Sequence, residues 1–215
     1  MKRIDCFIPF ADDTQVAPII AALKAQDEVS RIEVLDVRTF KSTASVKKIA
    51  SMASAPFTLI YTKTTELSFG EYALERFLSV AEDTSAAMVY ADHFKEMDGI
   101  RAFAPVIDCQ QGALRDDFDF GSVLVFRTYA LKEAVSRMDV DYEYAGLYDL
   151  RLKVSQKGSL VHINEYLYYE IETDTRKSGE KLFDYVDPKN RAVQIEMEKA
   201  CRSEERRVGK ECRSR

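Results

Sequence analysis

Tryptophan is absent from this 215-residue sequence, histidine occurs only twice (His93 and His162), and glycine and proline number eight and five. So little Gly and Pro excludes collagen-like and low-complexity chains. Two histidines far apart in sequence exclude a His-rich zinc site. The four cysteines (Cys6, Cys109, Cys201, Cys212) form no CxxC pair. Cys6 lies in an apolar run and reads as a small buried hydrophobe, and the set fits a reducing compartment. No apolar run approaches the ~18 residues of a membrane helix, and the N-terminus, MKRIDCFIPFADD, turns acidic too early for a secretory signal. A soluble, cytoplasmic protein is expected, at most peripheral at the inner face of a membrane. GxGxxG after the first strand, GxxxxGK[ST] and GxSxG are missing too, which disfavours NAD-linked, P-loop and nucleophile-elbow chemistry.

What is present is an ordinary globular balance, 46% apolar and 31% charged. Length sets an expectation of one domain, long enough to bury a core without disulfides or metal. The 31 basic and 36 acidic residues are unevenly spread: the last fourteen, RSEERRVGKECRSR, hold six basic and three acidic groups, leaving 25 against 33 before them. An acidic body with no basic, aromatic-studded stripe argues against nucleic-acid binding. That tail offers almost no apolar face. It resembles read-through into a vector or adapter, so residues 202–215 are set apart from the fold and a truncation near residue 201 is expected.

Strand-like and helix-like stretches alternate. Ile4–Pro9 is a strand buried on both faces. Thr14–Lys24 places Val16, Ile19, Ile20 and Leu23 at helical spacing. Arg31–Val37 alternates, with Ile32, Val34 and Asp36 on one side. Ser45–Ser54 follows as a helix, Phe57–Tyr61 as a strand, Glu71–Ala81 as a helix, and Ala86–Tyr90 as a strand. Later come a strand over Ser122–Phe126, a helix through Leu131 and Met138, a helix over Asp149–Ser155, a strand at Leu160–Ile163, and another strand or a tyrosine-rich loop at Leu167–Ile171. Asp187-Pro188 opens a helix reaching Ala200, a candidate surface for a homodimer. This rhythm predicts a parallel sheet with helices on both faces, whose ligands gather at the carboxyl ends of the strands.

The order of IDCFIPF, RIEVLDV, APFTLIYTKTTELSFGEYALERF and AAMVYADHF resembles the N-terminal half of family-two glycosyltransferases with the GT-A fold. Ile8, Pro9 and Phe10 match that family's Ile-Pro-aromatic turn. Asp36 matches the first of its paired acids after the second strand, with Val37 in the second place, and Leu74, Glu75 and Arg76 match a later Leu-Glu-Arg. YAGLYDLRLKVSQKGSLVHINEYLYY resembles its acceptor-side acid, the helix after it, and a strand ending in Leu-Tyr. YVDPKNRAVQIEMEKA also looks like a subgroup from gut-type bacteria. The resemblance spans roughly residues 1–170. It implies a single GT-A-like α/β domain over residues 1–201, with a mainly parallel twisted sheet. It also implies inverting transfer of a sugar from a nucleotide diphosphate to a carbohydrate or lipid-linked hydroxyl, in bacterial surface polysaccharide synthesis.

Such a transfer needs a carboxylate to take the acceptor proton, and a positive group for the departing diphosphate, usually Mg²⁺ or Mn²⁺ on carboxylates. The resemblance makes Asp149 the candidate base, after an aromatic turn that ends at Tyr148. Alternatively, Asp149 is a helix N-terminal acid answering the dipole. Pro9, Phe10, Asp36, Thr62, Lys63, Thr64 and Asp92 become the candidate nucleotide-sugar residues. The family's Asp-x-Asp falls on Thr62, Lys63 and Thr64, and neither threonine is a strong ligand for a hard cation. Either the domain works without a metal, Lys63 supplying the charge, or it has lost catalysis and binds a nucleotide-sugar, a carbohydrate or a protein. Lys63 also reads as a solvated lysine, and Asp92 as a cap of the next turn. Asp117-Phe118-Asp119 and Asp139-Val140-Asp141 have the metal spacing but lie elsewhere in the order. Arg115, Asp117 and Asp119 sit in an aromatic, charged loop suited to the acceptor side. Asp12 and Asp13 read as helix caps, His93 as a surface or satisfied polar group, and Tyr166, Tyr168 and Tyr169 as packing.

Overall fold

A computed structural model describes residues 2–97, 100–110, 118–172 and 191–213. The chain runs β1 (Ile4–Phe10), α1 (Asp13–Lys24), β2 (Val29–Asp36), α2 (Thr43–Met52), β3 (Phe57–Tyr61), β4 (Glu66–Phe69), α3 (Ala73–Asp83) and β5 (Met88–Met97). It continues through β6 (Ile100–Ala104), β7 (Val123–Arg127), α4 (Thr128–Val135), α5 (Gly146–Ser155), β8 (Leu160–Glu172) and α6 (Arg191–Arg213). One sheet in the order β2-β1-β3-β7-β5-β8-β4 organises the molecule, with β6 paired to β5.

The sheet is mixed, which corrects the expectation of a mainly parallel one. β1 pairs in parallel with β2 and β3, and β5 with β8, while β7 runs antiparallel between β3 and β5. β4 and β6 add further antiparallel edges. Helices α1 and α2 cross over between β1, β2 and β3 and so impose parallel pairing there, whereas β5 turns straight back into antiparallel β6.

Both faces are covered, as the apolar runs of β1 and β3 require. On one face Val16, Ile19 and Leu23 of α1 and Leu74, Phe77 and Leu78 of α3 pack on Cys6, Leu59, Val89 and Val125. On the other, Val46 and Ile49 of α2, Leu131 of α4 and Leu150 of α5 pack on Phe7, Ile60, Met88 and Phe126. The cap at Asp12 forms as its spacing suggests, the carboxylate accepting from the Gln15 N–H at 2.9 Å. Gly146 lets α5 approach α2 closely: a Cβ there would lie 2.3 Å from Ser42 and Thr43 backbone atoms.

Three departures from the sequence reading reshape the carboxyl edge. β5 does not stop at Tyr90 but continues to Met97, bonded to β6. The strand at Leu160–Ile163 and the tyrosine-rich stretch at Leu167–Ile171 are one strand, β8, with register shifts opposite Asp92. β4 begins two residues past Thr64, after the Thr-Lys-Thr stretch. In addition, α6 runs on into the basic tail, whose Arg, Lys and Glu are good helix formers. Asp187-Pro188, Arg115 and Asp117 lie outside the described residues.

Candidate functional site at the carboxyl edge of the sheet

The carboxyl ends of β1 and β2 open onto a cleft of about 650 Å³ lined by Phe10, Ala11, Asp13, Asp36, Val37 and Arg38, with Val16 and Ile20 of α1 behind them. Phe10 and Asp36 therefore share one site. Pro9 stays inside the sheet, paired with Leu35. Asp36 is gripped by Arg38, whose Nη2 donates to Oδ2 at 2.6 Å and whose backbone N–H donates to Oδ1 at 2.9 Å. Those guanidinium hydrogen bonds, with the backbone one, hold its carboxyl down at about 2. Arg38 was legible as an Asp-x-Arg spacing at a strand end, although the resemblance directs attention to Asp36 alone.

A second hollow of about 310 Å³ lies on the other side of the α1 N-terminus, lined by Thr14, Gln15, Pro18, Thr64, Thr65 and Glu66. Beside it, Thr62 is tied to the start of β7, its N–H donating to the Ser122 carbonyl at 2.9 Å. Lys63 is no solvated lysine. Its Nζ donates at 2.5 Å to Oε2 of Glu170, a carboxylate of β8 with no exposed surface. Glu170 also faces His93, whose Nε2 is 3.6 Å from Oε1. His93 is buried, stacks on Tyr168 with centroids 5.0 Å apart, and neither ring nitrogen is hydrogen-bonded in the protein. Burial lowers its pKa, against the pull of Glu170. The reading of His93 as a surface or satisfied group is thereby corrected, the extension of β5 having drawn it inside. Asp119 caps the turn before β7, accepting from the Gly121 N–H at 2.8 Å, and its charge bears on His93. Gly121 has φ of +71°, and a Cβ on it would lie 2.3 Å from the Tyr168 hydroxyl.

Asp92 is elsewhere. It is 1% exposed and accepts from the Val106 N–H and from His162 Nε2, both at 2.8 Å, rather than lining either opening. The cause is again the length of β5, which leaves Asp92 in mid-strand. His162 bridges it to Asp108, at 2.8 Å from Nδ1, and stacks on Tyr90. No described pocket is lined by Asp36, Thr62 and Asp92 together.

The acceptor-side candidates on α5 are interior as well. Asp149 is 1% exposed, with Lys153 Nζ 2.5 Å away one helical turn on. Tyr148 is buried beneath α6 with Tyr142, Leu152 and Ala200, and the Arg151 guanidinium lies over its ring at 4.8 Å. Asp141 pairs with Lys47 at 2.9 Å on the surface. Among the described residues no three His, Cys, Asp or Glu side chains gather to hold a metal ion. Thr62, Lys63 and Thr64, with an ammonium already on Glu170, do not fit Mg²⁺ or Mn²⁺, which favour anionic oxygen donors.

No family model and no curated protein matches the sequence. Solved structures do match. The crystal structure of S. aureus TarS 1–349 aligns with a TM-score of 0.51 at 9% identity, covering 79% of this chain and 60% of that one. Its complex with UDP-GlcNAc aligns at 0.50 and 10%, covering 85% and 64%, and its complex with UDP at 0.50 and 10%, covering 85% and 62%. The fold is glycosyltransferase-like. At this identity the likeness shows the fold alone, and the chain spans about three fifths of those TarS structures. Within that glycosyltransferase-like fold, the cleft at Phe10 and Asp36 and the Lys63–Glu170 pair lie along the edge where open α/β sheets take ligands. No described helix is long and apolar enough to cross a membrane.

Proposed function

We propose that this chain binds a nucleoside diphosphate sugar along its carboxyl edge and serves as the donor domain of a glycosyltransferase. The sugar passes, with inversion, to a carbohydrate or lipid-linked hydroxyl in bacterial surface polysaccharide synthesis. One observation carries the reading: the 650 Å³ cleft presents Phe10, Asp36 and Arg38 at the ends of β1 and β2, in a fold shared with a protein crystallised with UDP-GlcNAc and with UDP. An aromatic face, a carboxylate and a guanidinium suit the base, the ribose hydroxyls and the phosphates respectively.

Inverting displacement needs a base within about 2.6–3.2 Å of the acceptor proton. In this reading Asp149 is the base, which requires its release from Lys153 and its exposure to the acceptor. Its burial favours a second reading, a domain that holds the nucleotide-sugar without catalysis.

Thermal unfolding in the presence of UDP and GDP, with turnover of a panel of nucleotide-sugars, tests both. A nucleotide at 100 times its Kd stabilises by ~2.7 kcal/mol, a readable rise in Tm. Asp36→Ala is expected to abolish most of that rise. Asp149→Asn is expected to leave the rise intact and stop turnover. Protection without turnover in the wild type selects the binding-only reading, and protection by neither nucleotide overturns both.

A further inference from the structure

We propose that Lys63 and Glu170 are a built-in cation site: the lysine ammonium, seated on a buried carboxylate, stands in for the divalent ion, and the diphosphate is bound without metal. This rests on the donor-site reading above and adds how its phosphates are held.

Position comes first. Lys63 lies two residues past the end of β3 and is flanked by Thr62, tied to Ser122, and by Thr64, which lines the hollow shared with Thr14 and Gln15 of α1. Its side chain remains one-third exposed while Glu170 is fully buried, so the ammonium lies between the interior carboxylate and solvent. A lysine is otherwise a flexible point charge with much rotamer entropy. The 2.5 Å contact to a rigid β8 carboxylate fixes where that charge stands, which makes Glu170 a positioning residue. Electrostatic stabilisation of a leaving diphosphate depends on such preorganised charge.

The donor set opposes a metal. A divalent ion on Glu170 would have to displace the ammonium or sit against it, and Oε1 of that carboxylate faces the His93 ring. Burial disfavours a charge on His93, and Lys63 Nζ is the ammonium in contact with this carboxylate among the described residues.

Calorimetric titration of UDP into the full chain, in EDTA and in MnCl₂, decides the matter, with the fold of every variant checked by its melting curve. The wild type is expected to bind UDP equally in both. Lys63→Ala is expected to weaken binding roughly ten- to hundredfold, the loss of a charged hydrogen bond, and Lys63→Arg to restore most of it. Glu170→Gln keeps the shape, releases the lysine, and weakens binding by a smaller factor. Should Lys63→Ala fail to fold, Lys63→Gln and the two wild-type titrations stand in its place. UDP binding by the wild type only with Mn²⁺, or unweakened binding by a folded Lys63→Ala or Lys63→Gln, overturns the inference and leaves the donor site standing. Failure of the wild type to bind UDP in either buffer takes both down.

Discussion

Asp36–Arg38 and Lys63–Glu170 are two ion pairs on one sheet edge with the same chemistry in opposite surroundings. In the first, both partners face water, with side chains 43% and 82% exposed. Water and salt screen such a pair, so it adds little to stability and can exchange its partner for a ligand. In the second, the carboxylate is fully buried and only the lysine reaches solvent. Its desolvation has to be offset by a fixed partner, and removal of either charge leaves the other uncompensated. The open pair suits recognition and the buried one suits a permanent charge held in place.

The largest expected effect lies at the buried pair. Lys63→Met leaves Glu170 inside without its cation and is expected to cost ~3 kcal/mol in urea denaturation, while adding Glu170→Leu recovers most of it. A loss below ~0.5 kcal/mol would make the two pairs equivalent and erase the contrast. Next comes Gly121→Ala, which combines a left-handed backbone with a collision at the Tyr168 hydroxyl. About 2 kcal/mol of destabilisation is expected from strain of this kind.

His93 supplies a pH test. Burial holds its folded pKa below the ordinary value of about 6.5, so on acidification the unfolded chain takes up the proton first. Stability is fully present above that value and falls as pH drops beneath it, by at most ~1.4 kcal/mol per pH unit. The fall ends once pH passes below the folded pKa. His93→Phe is expected to flatten this part of the profile, measured as denaturation midpoints from pH 7 to 5. The smallest effect is at the open pair: Arg38→Ala is expected to leave the denaturation midpoint nearly unchanged. The Asp36 carboxyl, followed by NMR, should nevertheless move from about 2 toward its unperturbed value, near 4.

Much of the fold was legible because its signals are local. The apolar runs of β1 and β3, the helical stripes of α1 and α3, and the cap at Asp12 need only neighbouring residues to be recognised. The Phe10–Asp36 cleft was legible for the same reason, since ligands collect where parallel strands end. The misreadings of Asp92, His93 and Lys63 share one cause. β6 is mostly exposed and β4 is only four residues long, so neither has a strong period; their pairing nonetheless carries β5 past Asp92 and His93 and seats Lys63 near β8. Strand length inside a sheet is set by the partner strand, which lies far away in the sequence.

The amino-acid order by itself determined an α/β domain with helices on both faces, an open acidic strand end at Asp36, and a lysine where the resemblance leads one to expect acids. Only the tertiary structure decided that the sheet is mixed, that Asp92 and Asp149 are interior groups with partners of their own, and that Lys63 stands on Glu170, 107 residues away. Periodicity and capping act within a few residues. The charge state and role of a side chain depend on which distant atoms displace its water, and that is known only once the chain has folded.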